Sequence, residues 1–229
     1  MIIIIPGWMH SAAEWSVVSG LLEQQGVENC VLDLPGFGTV PIDESIKTMS
    51  DLTTWCKNKV TQIEENNTPP VTLVGHSCGG RIGLALVAEG MVLEKLVLIG
   101  SPNLYRPSRA IQLTKLLVSV MSPVKRFIPE SLRHGLRSAD YTQAAGTSMQ
   151  DLYQNVIKYD QTNLLAKVTV PVQLLWGEND TAAPVRIARE LDSKLQHSSL
   201  EIIPKLGHNL HHENPVLLAG KLKSYVTNS

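Results

Sequence analysis

With 229 residues, 43 % of them apolar and 18 % charged, and a net charge of -1, the chain has the material for one globular core with a sizeable insertion. That charge balance excludes bulk attraction to nucleic acid or to an anionic membrane. Cys30, Cys56 and Cys78 are odd in number, widely separated and without metal-ligand spacing, which excludes a disulfide framework.

Residues 2–5 are four isoleucines closed by Pro6-Gly7, and this predicts a strand buried on both faces of a parallel sheet. The run is too short for a secretory signal and has no basic flank, and no apolar run reaches the length of a membrane span, so a cytoplasmic location is expected. A loop over 8–11 leads to a predicted helix over 12–25. A strand over 29–34 follows, ending in P-G-F-G, and then a helix over 50–65 with Ser50 as its N-cap. N-N-T-P-P over 66–70 breaks the pattern. The stretch V-T-L-V-G-H-S-C-G-G over 71–80 reads as a strand and a sharp turn, a helix continues over 81–89, and a strand follows over 95–99.

This alternation predicts an α/β fold, a mostly parallel sheet with helices on both faces. From Pro102 to Asn163 the strand pattern stops, and helical segments are punctuated by Pro107, Pro123, Pro129 and Gly146. That stretch is expected to be a helical cap inserted after the fourth strand. The core is then 1–101 and 164–229, and the cap 102–163. Alternation resumes with a strand over 170–176, a helix over 185–195, a strand over 200–203 and a helix over 215–226, giving about six strands.

Gly75-His76-Ser77-Cys78-Gly79 fits G-x-S-x-G, where small residues let the backbone bend tightly enough to expose one hydroxyl. A serine hydroxyl needs a base to take its proton and a third group to orient that base. Both should sit at the carboxyl ends of later strands, where open sheets carry their sites. Asp180 follows the strand over 170–176 and His208 the strand over 200–203, so the chain order is nucleophile, acid, histidine. Glu178 is an alternative acid, and Asp180 an alternative helix cap. His211 and His212 are alternative bases, expected to open the last helix.

An oxyanion needs donors in place before reaction. The candidates are the backbone N–H of Cys78, at the start of its helix, and that of Trp8, in the loop after the first strand. The Trp8 ring is a candidate for lining an acyl pocket. No metal is expected, because His208, His211 and His212 lack the i, i+4 pair with an intervening glutamate. No organic cofactor is required.

Taken together, P-G-W at 6–8, D-L-P-G-F-G at 33–38, G-H-S-C-G-G at 75–80, W-G-E-N-D-T-A-A-P at 176–184 and G-H-N-L-H-H-E-N-P at 207–215 resemble the α/β-hydrolase superfamily along nearly the whole chain. The resemblance implies an α/β-hydrolase fold with Ser77 as nucleophile, Asp180 as acid, His208 as base, and the N–H groups of Trp8 and Cys78 as oxyanion hole. Within the superfamily the chain is most similar to small capped carboxylesterases, including the pimeloyl-acyl-carrier-protein methyl ester esterase of biotin synthesis. Two departures stand out. Pro6 replaces a customary histidine, and the chain begins on what would be the family's third strand.

Eight Lys and Arg against four Asp and Glu give the stretch 102–163 a net charge of +4 and leave -5 for the remainder. A basic cap over an acidic body fits an anionic substrate or an acidic acyl carrier protein, with Arg133 and Arg137 on one helix face. The expected activity is serine-dependent hydrolysis of carboxylic esters by a monomer acting on small molecules. Thioesters, lactones and carbon–carbon bonds are alternatives that fold and triad do not separate. A receptor-like protein with little turnover is the alternative from another class.

Overall fold

The computed structural model describes residues 1–65, 71–104 and 149–227. In chain order it contains β1 (Ile2–Ile5), a 3-10 turn (Ala12–Trp15), α1 (Ser16–Gln24), β2 (Asn29–Val31), α2 (Met49–Glu65), β3 (Thr72–His76), α3 (Cys78–Ala88) and β4 (Lys95–Ile99). Then come α4 (Met149–Lys158), a second 3-10 turn (Thr162–Lys167), β5 (Val172–Gly177), α5 (Val185–Asp192), β6 (Ser198–Ile203), α6 (Leu210–Glu213) and α7 (Pro215–Thr227). The strands make one six-stranded sheet in the order β2-β1-β3-β4-β5-β6, with every neighbouring pair parallel. The chain steps outward from β1 to β2, then crosses back to β3 and continues the other way. This reversal leaves a crevice beyond the carboxyl ends of β1 and β3, where sheets of this kind hold their ligands.

The isoleucine run explains the centre of the sheet. Ile3 and Ile5 enter the core on one face, Ile2 and Ile4 the core on the other, and all four are fully buried. Burial of each such side chain contributes about 1.5–3 kcal/mol. Leu52 and Cys56 of α2, Leu152 and Tyr153 of α4, and Ile187 and Leu191 of α5 cover the first face. Val18 and Leu22 of α1, with Leu218 and Leu222 of α7, cover the second.

Several boundaries differ from the sequence expectation. The helix expected over 12–25 begins as a 3-10 turn, in which Glu14 accepts the Ser11 N–H at 3.2 Å, and becomes α-helical at Ser16. β2 ends at Val31, because the chain turns so that the Asp33 carboxylate receives the N–H groups of Ala12 (2.7 Å) and Thr39 (2.8 Å). Ser50 is not the cap of α2. That helix starts at Met49, and Thr48 accepts the Asp51 N–H on its hydroxyl while Asp51 takes the Thr48 N–H at 2.9 Å.

Of the expected cap, residues 105–148 lie outside the described residues. The described ends of that stretch are fastened to α3 just beyond Ser77. Arg81, 4 % exposed, donates to the carbonyls of Val156 (3.0 Å), Tyr159 (2.6 Å) and Ile157 (3.4 Å) at the end of α4. Asn103 donates to the Gly80 carbonyl and to Gln161 Oε1, and Gln161 donates to the Arg81 carbonyl at 2.7 Å. Burial lowers the Arg81 guanidinium to about 10, so it stays charged at neutral pH.

Candidate active site

The turn between β3 and α3 is tight because three glycines let backbone meet backbone. A Cβ on Gly75 would come within 2.4 Å of the Gly80 Cα, and one on Gly79 within 2.0 Å of the Ile5 carbonyl oxygen. Ser77 sits at the apex with φ 50° and ψ -111°, a left-handed geometry that costs a non-glycine residue about 1–3 kcal/mol. Its N–H donates to the Ile99 carbonyl at 2.9 Å, and its own carbonyl accepts the Ser101 hydroxyl at 2.8 Å. The apex is thereby stitched to the end of β4.

Asp180 and His208 arrive from the far side of the sheet. The β5–β6 pairing continues into the following loops through Glu178 N–H to Ile203 and Asn179 N–H to the Leu206 carbonyl. Gly177 packs so closely that a Cβ there would lie 2.1 Å from the Gly207 oxygen. Asp180, 4 % exposed, takes the Ala183 N–H on Oδ1 at 2.7 Å and His208 Nδ1 on Oδ2 at 2.7 Å. One carboxylate therefore shapes its own loop and holds the imidazole. Because an ionised carboxylate only accepts, the proton lies on Nδ1 and the Nε2 lone pair is available as a base. The alternative acid, Glu178, is turned to the Lys205 N–H at 3.1 Å.

Gly100, immediately after β4, lies against this pair. With φ 51°, a Cβ there would approach Asp180 Oδ2 to 3.0 Å and His208 Nδ1 to 3.1 Å. Since the preceding residue, Ile99, accepts the Ser77 N–H, the end of β4 joins the serine turn to the histidine–aspartate pair.

Cys78 is the first residue of α3, directly after Ser77. The Trp8 N–H makes no hydrogen bond to a described residue. The Trp8 ring is buried edge-on to Phe37, with centroids 5.0 Å apart, and tilted against Tyr153 at 5.1 Å. Arg133 and Arg137 lie outside the described residues. An open cavity of about 540 Å³ between α4 and the residues that lead into α2 is lined by Lys47, Thr48, Asp151 and Lys158 among others, and none of Ser77, Asp180 and His208 lines it. The chemically suited groups therefore lie elsewhere than this cavity.

Three contributors carry no sequence signal for a role here. His76, fully buried, bonds through Nε2 to the His208 carbonyl at 3.1 Å. A carbonyl accepts only, so Nε2 carries the proton. Burial first, then the neighbouring His208, His211 and His10, drive its pKa well below the usual histidine value. Glu213 takes the N–H groups of Gly207 (2.6 Å) and Asn209 (3.1 Å), bracketing His208 on both sides. Ser101 supplies the third contact, its hydroxyl on the Ser77 carbonyl. His211 and His212 lie on the separate single-turn helix α6, not at the start of the last helix.

The model of the alpha/beta hydrolase family matches residues 2–221. An uncharacterised hydrolase of Bacillus subtilis (strain 168), YugF, is 24 % identical over 98 % of this chain and 89 % of its own length. Among solved structures, the esterase EaEST from Exiguobacterium antarcticum superposes with a TM-score of 0.76 at 18 % identity, covering 99 % of this chain and 92 % of that one. MenH from S. aureus superposes with a TM-score of 0.71, also at 18 % identity, covering 99 % and 93 %.

Proposed function

The chain belongs to the alpha/beta hydrolase family, and from that premise we propose that it hydrolyses carboxylic esters through an acyl-enzyme on Ser77. The observation that carries the reading is the 2.7 Å bond between buried Asp180 and His208 Nδ1, next to a strained serine turn. In this reading Ser77 Oγ attacks the ester carbonyl carbon while His208 Nε2 takes the hydroxyl proton. Asp180 stabilises the imidazolium without taking a proton.

The tetrahedral oxyanion is met by the backbone N–H groups of Cys78 and Trp8, donors fixed by the fold before reaction begins; one such donor is worth about 10²–10³ in kcat. Collapse breaks the bond to the leaving alkoxide, which departs with the proton from His208. Water then repeats the sequence, giving the carboxylic acid and free Ser77. His76 and Glu213 are positioning residues, holding the main chain on which His208 is carried.

The domain reading is a core of 1–101 and 164–229 with a cap over 102–163. The finer substrate reading is an anionic or carrier-bound ester, such as a pimeloyl-acyl-carrier-protein methyl ester, and it is supported by the +4 charge of that stretch. The test is hydrolysis of p-nitrophenyl esters from acetate to long acyl chains by wild type, Ser77→Ala and His208→Ala. Turnover by wild type alone supports the reading, and wild-type inactivity on the whole series overturns it.

A further inference from the structure

A cluster of imidazoles outside the His208–Asp180 pair has no part in the chemistry above. His10 lies in the loop after β1, and His211 and His212 lie on α6, some two hundred residues later in the chain. One potential ligand nitrogen of each lies within 4.8 Å of those of the other two. A tetrahedral ion with bonds of about 2.0–2.1 Å requires its nitrogens about 3.3 Å apart. Of the three rings only His212 is exposed, so binding would draw the nitrogens together chiefly by its rotation.

The arrangement has two features expected of a ligand set. His10 Nδ1 sits 2.6 Å from Glu14 Oε2, and since the carboxylate only accepts, Nδ1 carries a proton and Nε2 is the nitrogen that offers a lone pair in the neutral ring. A carboxylate holding the outer nitrogen of a histidine is the usual support behind a metal-bound imidazole. His211 is 2 % exposed, and both its ring nitrogens are buried with no hydrogen-bond partner among the described residues. Buried polar atoms nearly always have a partner, so an orphaned ring calls for one that the protein itself does not supply. The ring is nonetheless firmly placed, stacked on Trp15 at 4.5 Å and 4°.

We propose that His10, His211 and His212 bind one divalent cation of the zinc class, which clamps the loop after β1 to α6. Three imidazoles suit zinc, copper or nickel better than calcium or magnesium, which prefer oxygen ligands. The ion would act as a tie between the loop that carries Trp8 and the segment that carries His208. It takes no part in ester cleavage, so the proposal stands or falls separately from the activity.

The test uses the untagged full chain carrying Ser77→Ala, stripped with a chelator and titrated calorimetrically with zinc chloride. One equivalent should bind, and the melting temperature should rise with zinc concentration. His212→Ala, at an exposed position, should weaken binding at least about tenfold, and Glu14→Gln should do so by about 10–100-fold through the supporting shell. His10→Ala is read in parallel, with circular dichroism to establish that each variant is folded. Failure of the chain to bind a stoichiometric ion overturns the proposal, as does equal affinity in the parent and in folded His212→Ala.

Discussion

Adding one methyl group at Gly100 tests the geometry of the site more sharply than removal of any of its polar side chains. Gly100→Ala places a Cβ 3.0 Å from Asp180 Oδ2 and 3.1 Å from His208 Nδ1, the two atoms of the 2.7 Å hydrogen bond. A carbon at that range must push one of them aside by a few tenths of an ångström. Neither is free to yield, since Asp180 is also held by the Ala183 N–H and the His208 loop by Glu213 and His76.

The φ of 51° adds about 1–2 kcal/mol for an L-residue, partly offset by the lower unfolded-state entropy of alanine. The net loss of stability should be about 1–3 kcal/mol, or about 2–4 °C in Tm for each kcal/mol in a chain of this size. The catalytic loss should be larger in proportion, about 10–100-fold in kcat, because reacting groups displaced by a fraction of an ångström lose their alignment. Steady-state hydrolysis of p-nitrophenyl acetate, read beside a thermal melt, separates the two effects. A variant with a lowered Tm but a kcat within about twofold of wild type would refute the argument that the end of β4 governs the histidine–aspartate pair.

Three further outcomes follow from other parts of the molecule. Ser77→Gly should be inactive yet more stable by about 1 kcal/mol in urea titration, because glycine relieves the left-handed turn; an unchanged or lower midpoint would remove the strain argument. Arg81→Met keeps the packing of the stem but takes the guanidinium donor from the carbonyls of Val156, Ile157 and Tyr159, of which Val156 retains the Tyr159 N–H at 3.3 Å, and should cost about 2–4 kcal/mol by the same titration. Burial raises the Asp33 pKa, but the hydrogen bonds from Ala12 and Thr39 outweigh it and leave it lowered. With the folded pKa below the unfolded one, Asp33 stabilises the fold above about pH 3.9 and ceases to do so as pH falls through its folded value. Asp33→Asn should therefore flatten the acid limb of a stability–pH curve, and an acid limb of unchanged slope would count against the linkage.

The layout of the sheet is legible in the sequence for physical reasons. Four consecutive isoleucines can be satisfied only by burial on both faces, and strand–helix alternation forces parallel crossovers. The sharp turn at Ser77 is legible because Gly75, Gly79 and Gly80 leave room that no larger residue would. Boundaries are less legible. Ser50 has the chemistry of a cap, but Thr48, two residues earlier, is placed to exchange hydrogen bonds with Asp51, and α3 begins three residues before its apolar pattern does. The part played by Gly100, His76 and Glu213 is invisible in the sequence. Gly100 and His76 act on residues far away in the chain, and Glu213 reaches back from α6 to the loop on either side of His208; neither spacing nor composition encodes those meetings. The same holds for His10, which joins His211 and His212 because α6 packs against the 3-10 turn that follows the His10 loop.

The central claim is that Ser77 carries the acyl group. The most direct measurement is acid-quenched intact mass spectrometry of the enzyme mixed with p-nitrophenyl acetate, followed by peptide mapping. The account predicts one acetyl group on the peptide containing Ser77 in wild type and none in Ser77→Ala. An acetyl group on another residue, or wild-type turnover in Ser77→Ala, would contradict it.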